Sequence, residues 1–232
     1  MKLTNKEWSD KLIAKIDPEF RHRWEVFKDM VADLLDSNKT WIDCGCGNNL
    51  LVKDLGHLAK RAYGIDISDE NKDYNDFIKA DIKKIPLPAG TVDLITLRFV
   101  VEHFKDPENY FDEAARILKQ NGKILILTTN LYSPIIFLPK FLFPFYIKNI
   151  ILSRLFKIES KEIFPTYHKI NNPEKFKQLK KGLKVREIKF ISDLNYTRRW
   201  IFLILFFWHY LTKIFRLEKL RTNLLVILEK SI

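Results

Sequence analysis

The sequence has few cysteines and glycines and no hydrophobic run long enough to cross a membrane. Its only cysteines, Cys44 and Cys46, are spaced too closely for an ordinary zinc site and have no partners elsewhere. We therefore expect them to be small side chains packed under a turn, in a reducing compartment. The longest apolar run, residues 200–211, includes His209 and as a helix reaches about 18 Å, against about 30 Å for a bilayer core. Residues 1–10 are polar, so no signal peptide is predicted.

Acidic residues are scarce in the second half of the chain. Residues 1–130 contain 20 lysines and arginines against 22 acids, whereas residues 131–232 contain 20 against seven, a net charge of +13. The first half therefore resembles an ordinary soluble domain, while the second half is suited to an anionic partner. The alternative is that the basic surface only keeps the protein soluble.

The spacing of apolar residues predicts an α/β protein. Two helical segments are expected within residues 5–36, broken at Asp17-Pro18. Short apolar runs without strict alternation follow, as in a parallel sheet covered on both faces. The predicted strands are 40–44, 61–66, 77–80, 92–97, 122–129, 183–191 and 224–229. The predicted helices between them are 49–59, 69–75, 108–119, 173–181 and 197–217.

Three regions are expected within one integrated domain. Residues 1–38 form an N-terminal helical cap, and residues 39–130 form a ligand-binding core. Residues 131–232 contain hydrophobic insertions that form a lid or acceptor site, together with the last two strands. Prolines at 134, 139 and 144 argue against a single long helix over residues 131–160.

The most informative segment is residues 41–49, Trp-Ile-Asp-Cys-Gly-Cys-Gly-Asn-Asn. An apolar strand runs into an acidic turn in which Gly45 and Gly47 allow a sharp bend and a close approach to a ligand. A second acid, Asp66, closes the next predicted strand. Acids at the carboxyl ends of parallel strands can hold the polar groups of a nucleoside-like ligand. This arrangement predicts a cofactor-binding enzyme.

Four ordered blocks resemble the class I S-adenosylmethionine-dependent methyltransferases, in particular the methyltransferase-11-like group. They are residues 42–47 (Ile-Asp-Cys-Gly-Cys-Gly), residues 62–68 (Ala-Tyr-Gly-Ile-Asp-Ile-Ser), residues 80–88 (Ala-Asp-Ile, then Ile-Pro-Leu-Pro), and residues 91–125, which contain Val-Glu-His-Phe and end in Arg-Ile-Leu-Lys-Gln-Asn-Gly-Lys-Ile-Leu. The resemblance is strong over residues 40–130 and absent in detail over 131–165 and 197–220. It implies a Rossmann-like fold with a mostly parallel seven-stranded sheet and helices on both faces.

The resemblance also implies which residues bind S-adenosylmethionine. They are Asp43, Gly45, Cys46, Gly47, Asp66, Ile67, Asp81, Ile82 and Arg98. The residues of the first turn would surround the amino-acid part of the cofactor. Asp66 would accept hydrogen bonds from the ribose hydroxyls, and Asp81 from the adenine amino group. Ile67 and Ile82 would pack against the adenine ring, and Arg98 would lie at the cofactor or the substrate entrance.

Two positions depart from the family pattern. The third glycine of the turn is replaced by Asn49, which tolerates left-handed backbone geometry. Ubiquinone-type O-methyltransferases of this group bind a divalent ion with a Glu-x-x-Glu-His cluster. Here only Glu102 and His103 are present, because the position of the first acid is Phe99. No metal site is predicted.

Two histidines are candidate catalytic bases. Methyl transfer from a sulfonium is an in-line displacement with a good leaving group, so positioning and exclusion of water can provide much of the catalysis. A hydroxyl acceptor also benefits from a base, and histidine titrates near neutral pH. His103 follows the fourth strand at the cofactor end of the sheet, and His168 is the second candidate. The alternative is that each histidine caps a helix or packs under a lid.

The aromatic helix predicted near residues 197–217 indicates a membrane-surface or acceptor role. It is apolar on nearly all sides, and basic residues flank it at Arg198, Arg199, Lys213 and Arg216. Our hypothesis is O-methylation of a small or amphiphilic acceptor, lipid-linked or glycan. The protein would be cytoplasmic and would bind the inner leaflet of an anionic membrane reversibly. The alternatives are a helix buried in the protein, a dimer contact, a nucleic-acid methyltransferase, and a non-catalytic protein that binds the cofactor.

Overall fold

A computed structural model describes residues 3–68, 76–142, 164–179 and 182–231. The helices within this part of the chain are α1 (Asn5–Ile16), α2 (Arg23–Leu34), α3 (Leu50–Leu55), α4 (Pro107–Ile117), α5 (Pro134–Leu142), α6 (Pro173–Lys177) and α7 (Arg199–Ile214). The strands are β1 (Thr40–Cys44), β2 (Arg61–Asp66), β3 (Phe77–Lys79), β4 (Val92–Arg98), β5 (Leu118–Thr129), β6 (Leu183–Ile191) and β7 (Asn223–Lys230). Short 3₁₀ turns lie at Gly56–Leu58, Val101–His103 and Glu218–Leu220.

The seven strands form one sheet in the order β3-β2-β1-β4-β5-β7-β6. The pairs β1–β2, β1–β4, β2–β3 and β4–β5 are parallel. The chain moves outward from β1 to β3 and then returns to place β4 on the other side of β1. In open α/β sheets such a reversal leaves a crevice at the carboxyl ends of the strands, where ligands bind. The predicted fold class is confirmed.

The central strands are buried because they are almost entirely apolar. Trp41 of β1 is fully buried, and its indole N–H donates to Oγ1 of Thr96 on β4, 3.0 Å away. This bond satisfies a polar group that would otherwise be costly to bury. The sheet therefore holds the ends of β1 and β4 rigidly beside each other.

The boundaries of several elements differ from the sequence prediction. α3 ends at Leu55 and continues as a 3₁₀ turn from Gly56, where a helix to residue 59 was predicted. β5 begins at Leu118 rather than at residue 122, because the pair Asn121-Gly122, a turn-forming sequence, lies inside the strand. Asn121 has φ of 62° and lies near a register shift between β4 and β5, which accommodates the turn-forming pair within the strand. The predicted helix at 69–75 lies outside the described residues, as does most of the proline-interrupted segment over 131–160.

Two compact units divide the chain. One contains residues 1–26, 130–165 and 190–223, and the other contains residues 27–129, 166–189 and 224–232. The division into cap, core and C-terminal part that the sequence predicts at residues 38 and 130 stays a prediction. The first unit is called the helical unit here and the second the sheet unit.

The core of the helical unit forms around the inner face of α7. Phe202 and Phe206 of α7 are buried against Ile13 of α1 and Leu194, and Trp8 makes an edge-to-face contact with Phe202 at 5.5 Å between ring centroids. α1 begins with a capping box in which Thr4 and Glu7 hydrogen-bond to each other's backbone. Side-chain packing therefore holds α7 against α1, and the capping box stabilises the start of α1.

Candidate functional site

The turn after β1 has three residues with left-handed backbone geometry. Gly45 has φ of 71°, Gly47 has φ of 54° and Asn49 has φ of 57°. A Cβ at Gly45 would lie 2.4 Å from Cγ2 of Val100, so the sheet unit has no room for a side chain there. A Cβ at Gly47 would meet no atom within 4 Å, so this glycine faces open space. The turn is therefore packed on one side and open on the other.

Asn49 is accommodated by a glycine on the neighbouring strand. A Cβ on Gly64 of β2 would lie 2.0 Å from Oδ1 of Asn49, so the amide occupies the space that a side chain would fill. Nδ2 of Asn49 donates to Oδ1 of Asp76 at 3.3 Å, while its buried Oδ1 has no hydrogen-bond partner among the described residues. The replacement of the third glycine thus fills a gap at β2 and keeps the left-handed turn.

Asp66 at the end of β2 is tied to the turn by its carboxylate. Oδ2 accepts from the backbone N–H of Gly47 at 2.9 Å, and Oδ1 accepts from the N–H of Ser68 at 3.0 Å. An ionised carboxyl group offers about four acceptor positions, so about two remain for a ligand once these bonds within the described residues are counted. Ile67 directly after it is 61% exposed, which is unusual for an isoleucine that follows a buried strand.

Asp81 follows β3 next to this edge, where the N–H of Ala80 donates to the carbonyl of Asp66 at 3.0 Å. Oδ1 of Asp81 accepts from the N–H of Lys83 at 2.9 Å, and Oδ2 pairs with Nζ of Lys83 at 3.2 Å. Ile82 beside it lines an apolar pocket whose walls include Cys44, Ile85, Leu97, Phe104 and Tyr110. The rings of Phe104 and Tyr110 stack at 3.8 Å, so a flat apolar wall stands next to a carboxylate.

Asp43 is buried at the end of β1, and burial raises its pKa to about 6. The hydrogen bond from Oγ1 of Thr96, at 2.6 Å, and the positive charge of Arg98 act in the opposite direction, while the charge of Asp66 raises the pKa further. Asp43, Asp66 and Arg98 therefore share one electrostatic environment. At neutral pH Asp43 is mostly ionised in a site that favours a positively charged neighbour.

The two cysteines are protonated at neutral pH. Burial raises the pKa of the Cys44 thiol well above its ordinary value and that of Cys46 to about 12, and the charge of Asp43 adds to both shifts. A thiol must ionise to act as a nucleophile or a metal ligand. These cysteines therefore serve as small buried side chains.

A second group of polar residues lies at the carboxyl ends of β4 and β5. We call it the Glu102 network, and its members are Glu102, Thr128, Thr129, His168 and Asn171. The buried carboxylate of Glu102 accepts from Oγ1 of Thr128 at 2.8 Å. Nδ2 of Asn171 donates to Oγ1 of Thr128 at 2.6 Å and to Oγ1 of Thr129 at 3.1 Å. Nδ1 of His168 lies 3.4 Å from Oγ1 of Thr129.

The backbone brings both candidate bases to this network. The carbonyl of Glu102 accepts from the N–H groups of Tyr167 and His168, at 2.7 and 3.0 Å. His103 is the next residue after Glu102 and closes the 3₁₀ turn that follows β4. His168 has a left-handed φ of 50°. The two histidines therefore belong to one connected loop region, although 65 positions separate them in the sequence.

The sequence did not indicate the roles of Thr128 and Asn171. Thr128 is the next-to-last residue of the buried strand β5, and threonine is common in strands. Asn171 precedes Asn172, whose side chain caps α6 by accepting from the N–H of Lys175, and a capping asparagine explains the pair without any site. Within the described ranges, no group of three or more histidine, cysteine, aspartate or glutamate side chains is placed to hold a metal ion.

Comparison with known proteins identifies the fold of this site. Residues 42–126 match the family model described as "Methyltransferase domain". A ubiquinone biosynthesis O-methyltransferase of Cupriavidus pinatubonensis is 26% identical over 106 residues, which is 40% of this chain and 43% of that protein. The corresponding enzyme of Pelagibacter ubique is 30% identical over 114 residues, covering 45% and 48%. The chain spans about half the length of the curated relatives it matches.

Solved structures match over nearly the whole chain. A complex between the Haloferax volcanii Trm112 methyltransferase activator and a methyltransferase contains a chain with a TM-score of 0.60 and 17% identity, covering 98% of this chain and 96% of that one. The [4+2]-cyclase SpnF has a TM-score of 0.59 and 13% identity, covering 99% and 97%. Geranyl diphosphate C-methyltransferase from Streptomyces coelicolor, in complex with S-adenosyl-L-homocysteine, has a TM-score of 0.56 and 13% identity, covering 89% and 77%.

Proposed function

We propose that this chain, whose residues 42–126 form a methyltransferase domain of the class I, S-adenosylmethionine-dependent fold, transfers a methyl group to a hydroxyl group of an amphiphilic acceptor. The observation that carries the proposal is the convergence of Asp43, Asp66 and the open turn at residues 45–47. They meet at the carboxyl edge of the sheet, where the strand order reverses.

The residues at this edge fit the cofactor part by part. Open space at Gly47 leaves room for the cofactor's amino-acid part, and the ionised Asp43 suits an ammonium group. The acceptor positions left on Asp66 match the two hydroxyls of a ribose. The exposed side chain of Ile67 and the apolar side chain of Ile82 beside Asp81 suit the face of an adenine ring, whose amino group the carboxylate of Asp81 would accept from.

The chain's own residues then act mainly by positioning. When bound, S-adenosylmethionine supplies a methyl group on a sulfonium, an electrophile with a good leaving group. The Asp66–Gly47 bond fixes the turn against β2, and the Thr96–Asp43 bond fixes the carboxylate of β1. Holding two reactants in line replaces a bimolecular encounter with a unimolecular step and can provide several kcal/mol, of order 7–11 at best.

A hydroxyl acceptor must lose its proton when its oxygen gains a methyl group. We propose that the imidazole of a histidine accepts this proton, and the candidates are His168 and His103. Support comes from the Glu102 network, which holds the loop carrying both residues at the carboxyl ends of β4 and β5. The O-methyltransferase names of the relatives also favour an oxygen acceptor. Arg98, at the end of β4, is proposed to face the cofactor or the acceptor entrance.

We propose that the acceptor is lipid-linked or otherwise amphiphilic. The protein would be cytoplasmic and would bind this acceptor at an anionic membrane surface. The excess of basic residues in residues 131–232 supports this. Within residues 3–68, 76–142, 164–179 and 182–231, no helix combines the length and apolar character required to cross a bilayer. A nucleic-acid acceptor is the second candidate, because the same charge excess suits phosphates.

Incubation of the purified protein with radiolabelled S-adenosylmethionine tests the function. The acceptor sources are a lipid extract, a water-soluble extract and total RNA, each in a separate reaction. We expect label in the lipid fraction. We also expect His168→Asn to lower it at least 100-fold while His57→Asn, at an exposed 3₁₀ turn, leaves it unchanged. Label confined to RNA would favour the second candidate. Binding of the cofactor without any label would favour a protein that binds the cofactor and does not transfer its methyl group.

A further inference from the structure

The outer face of α7 is a row of exposed, large apolar side chains. Its members are Trp200, Leu203, Ile204, Phe207, Tyr210 and Ile214, with exposed fractions from 43% to 62%. They recur at spacings of three and four residues, so they lie along one side of the helix. We call this row the α7 ridge. Isolated exposed apolar residues are ordinary, whereas a continuous row indicates an interaction surface.

A buried polar cluster determines which face of α7 points outward. The helix is apolar on nearly all sides, so hydrophobic burial alone does not fix its rotation. On the inner face, Nε2 of His209 lies 2.8 Å from Oδ2 of Asp17, and Nδ1 lies 2.8 Å from Oγ of Ser192. Nζ of Lys213 donates to the other oxygen of Asp17 at 2.6 Å. All four residues belong to the helical unit, and turning α7 would remove these partners from the buried side chains of Asp17 and Ser192.

The cluster also changes the interpretation of the sequence. Although the sequence shows this helix as apolar on nearly all sides, Phe202 and Phe206 are buried in the core of the helical unit. Lys213 is bound to Asp17, and Arg199 stacks on Trp8 at 5.1 Å and donates to the carbonyl of Leu3. The ion pair with Asp17 offsets the charge of Lys213, whereas Arg199 keeps its positive charge beside the helix.

We infer that the α7 ridge docks on the surface of a lipid bilayer that contains anionic lipids. This inference rests on the proposed function in one respect, because it names the surface at which the protein would meet an amphiphilic acceptor. No acidic residue occurs between positions 194 and 217, and Arg216 stands exposed just after the helix, between the exposed side chains of Phe215 and Leu217. Charge around the ridge thus complements anionic lipid headgroups. Trp200 and Tyr210 are residue types that favour the membrane–water interface.

A second copy of the chain is a poorer occupant. A large apolar side chain has about 200 Å² of surface, so six half-exposed side chains offer about 600 Å² of surface to a partner. Each partner in a standard protein interface buries more than this, roughly 800 Å². Two ridges facing each other would also bring their basic ends together. A bilayer has no such area requirement, because an in-plane helix only embeds its apolar face by about 5–10 Å.

Vesicle sedimentation with the full chain tests the inference. The probe is phosphatidylcholine vesicles with about 30% phosphatidylglycerol, compared with pure phosphatidylcholine. We expect binding to the anionic vesicles, at least a ten-fold weaker partition for Leu203→Ser/Phe207→Ser, and about a five-fold weaker partition for Arg216→Ser. Ile16→Ser is the matched control, because Ile16 is 46% exposed in the same unit but lies outside the ridge. Equal sedimentation of the ridge variant and the parent protein would overturn the inference.

Quenching by brominated lipid tests the orientation directly. Trp200 lies on the ridge and is 51% exposed, whereas the indole of Trp208 donates to the carbonyl of Leu220. We expect brominated lipids to quench the protein's fluorescence and Trp200→Phe to remove most of this quenching without loss of sedimentation. Persistent quenching in Trp200→Phe would overturn the inference, as would a dimer in light scattering that Leu203→Ser/Phe207→Ser converts to a monomer. Binding of S-adenosylhomocysteine, measured in parallel, should be unchanged in all ridge variants. Failure of membrane docking is thereby distinguished from failure of the proposed function.

Discussion

Replacing Asp66 with asparagine perturbs the site at one carboxylate and preserves its shape. In the parent protein Oδ2 accepts from the N–H of Gly47 and Oδ1 from the N–H of Ser68. An asparagine has one oxygen and one NH₂ group, so one of these backbone donors would face another donor. The same change removes the negatively charged carboxylate that we expect to accept hydrogen bonds from the ribose hydroxyls.

The magnitude follows from the bonds that are lost. A hydrogen bond to a charged acceptor contributes about 1.5–3 kcal/mol, which corresponds to about a 10- to 150-fold change in an equilibrium constant. We expect Asp66→Asn to weaken binding of radiolabelled S-adenosylmethionine by about 100-fold in equilibrium dialysis. Loss of the backbone partner should lower the free energy of unfolding by only about 1–2 kcal/mol, so the variant should remain folded.

The matched control is Asp54→Asn. Asp54 lies on α3 of the same unit and pairs with Lys28 on the surface, and its side chain is 52% exposed. Surface ion pairs contribute about 0–1 kcal/mol, so this variant should bind like the parent protein. Circular dichroism would establish that both variants are folded. A folded Asp66→Asn variant with unchanged affinity would refute the assignment of Asp66 to the ribose.

Four further predictions concern the same edge of the sheet. Gly45→Ala should destabilise the protein by several kcal/mol in urea unfolding, because its Cβ would lie 2.4 Å from Cγ2 of Val100 and φ is positive. Gly47→Ala has open space and should cost only about 1–2 kcal/mol of backbone strain while weakening cofactor binding. Burial raises the pKa of Asp43 from its ordinary 3.8 to about 6, so the folded state holds a proton that the unfolded state has already released. The free energy of unfolding should therefore fall by about 3 kcal/mol as the pH rises from about 4 to about 6. Asp43→Asn should remove that slope, and a slope that persists in this variant would contradict the assignment. Asp81→Asn should weaken binding of S-adenosylhomocysteine about ten-fold while hardly changing that of S-ribosylhomocysteine, which lacks adenine; equal losses would contradict an adenine contact.

The sequence was sufficient to predict the sheet, because the sheet depends on local patterns. Short apolar runs predicted the strands, and the acids in the last residues of β1 and β2, Asp43 and Asp66, lie at the carboxyl edge as expected of parallel strands. Asn49 was expected to tolerate left-handed geometry, and its φ of 57° agrees. The space that Gly64 provides for its amide depends on packing between neighbouring strands, which no local pattern reports.

Two other features depend on contacts between distant residues. The bonds of Asn171 to Thr128 and Thr129 span more than 40 positions, and no local pattern distinguishes threonines near a strand end or an asparagine that precedes the helix cap Asn172. The outward face of α7 could not be read from hydropathy, because both faces are apolar. The bond between His209 and Asp17 orients the helix, and it joins residues 192 positions apart.

Calorimetric titration of the purified full chain with S-adenosylhomocysteine tests the central claim most directly. We predict saturable binding of one ligand per chain that weakens as the pH falls below about 6, where Asp43 takes up a proton. A folded protein that gives no heat of binding and no thermal stabilisation at millimolar ligand would contradict the account.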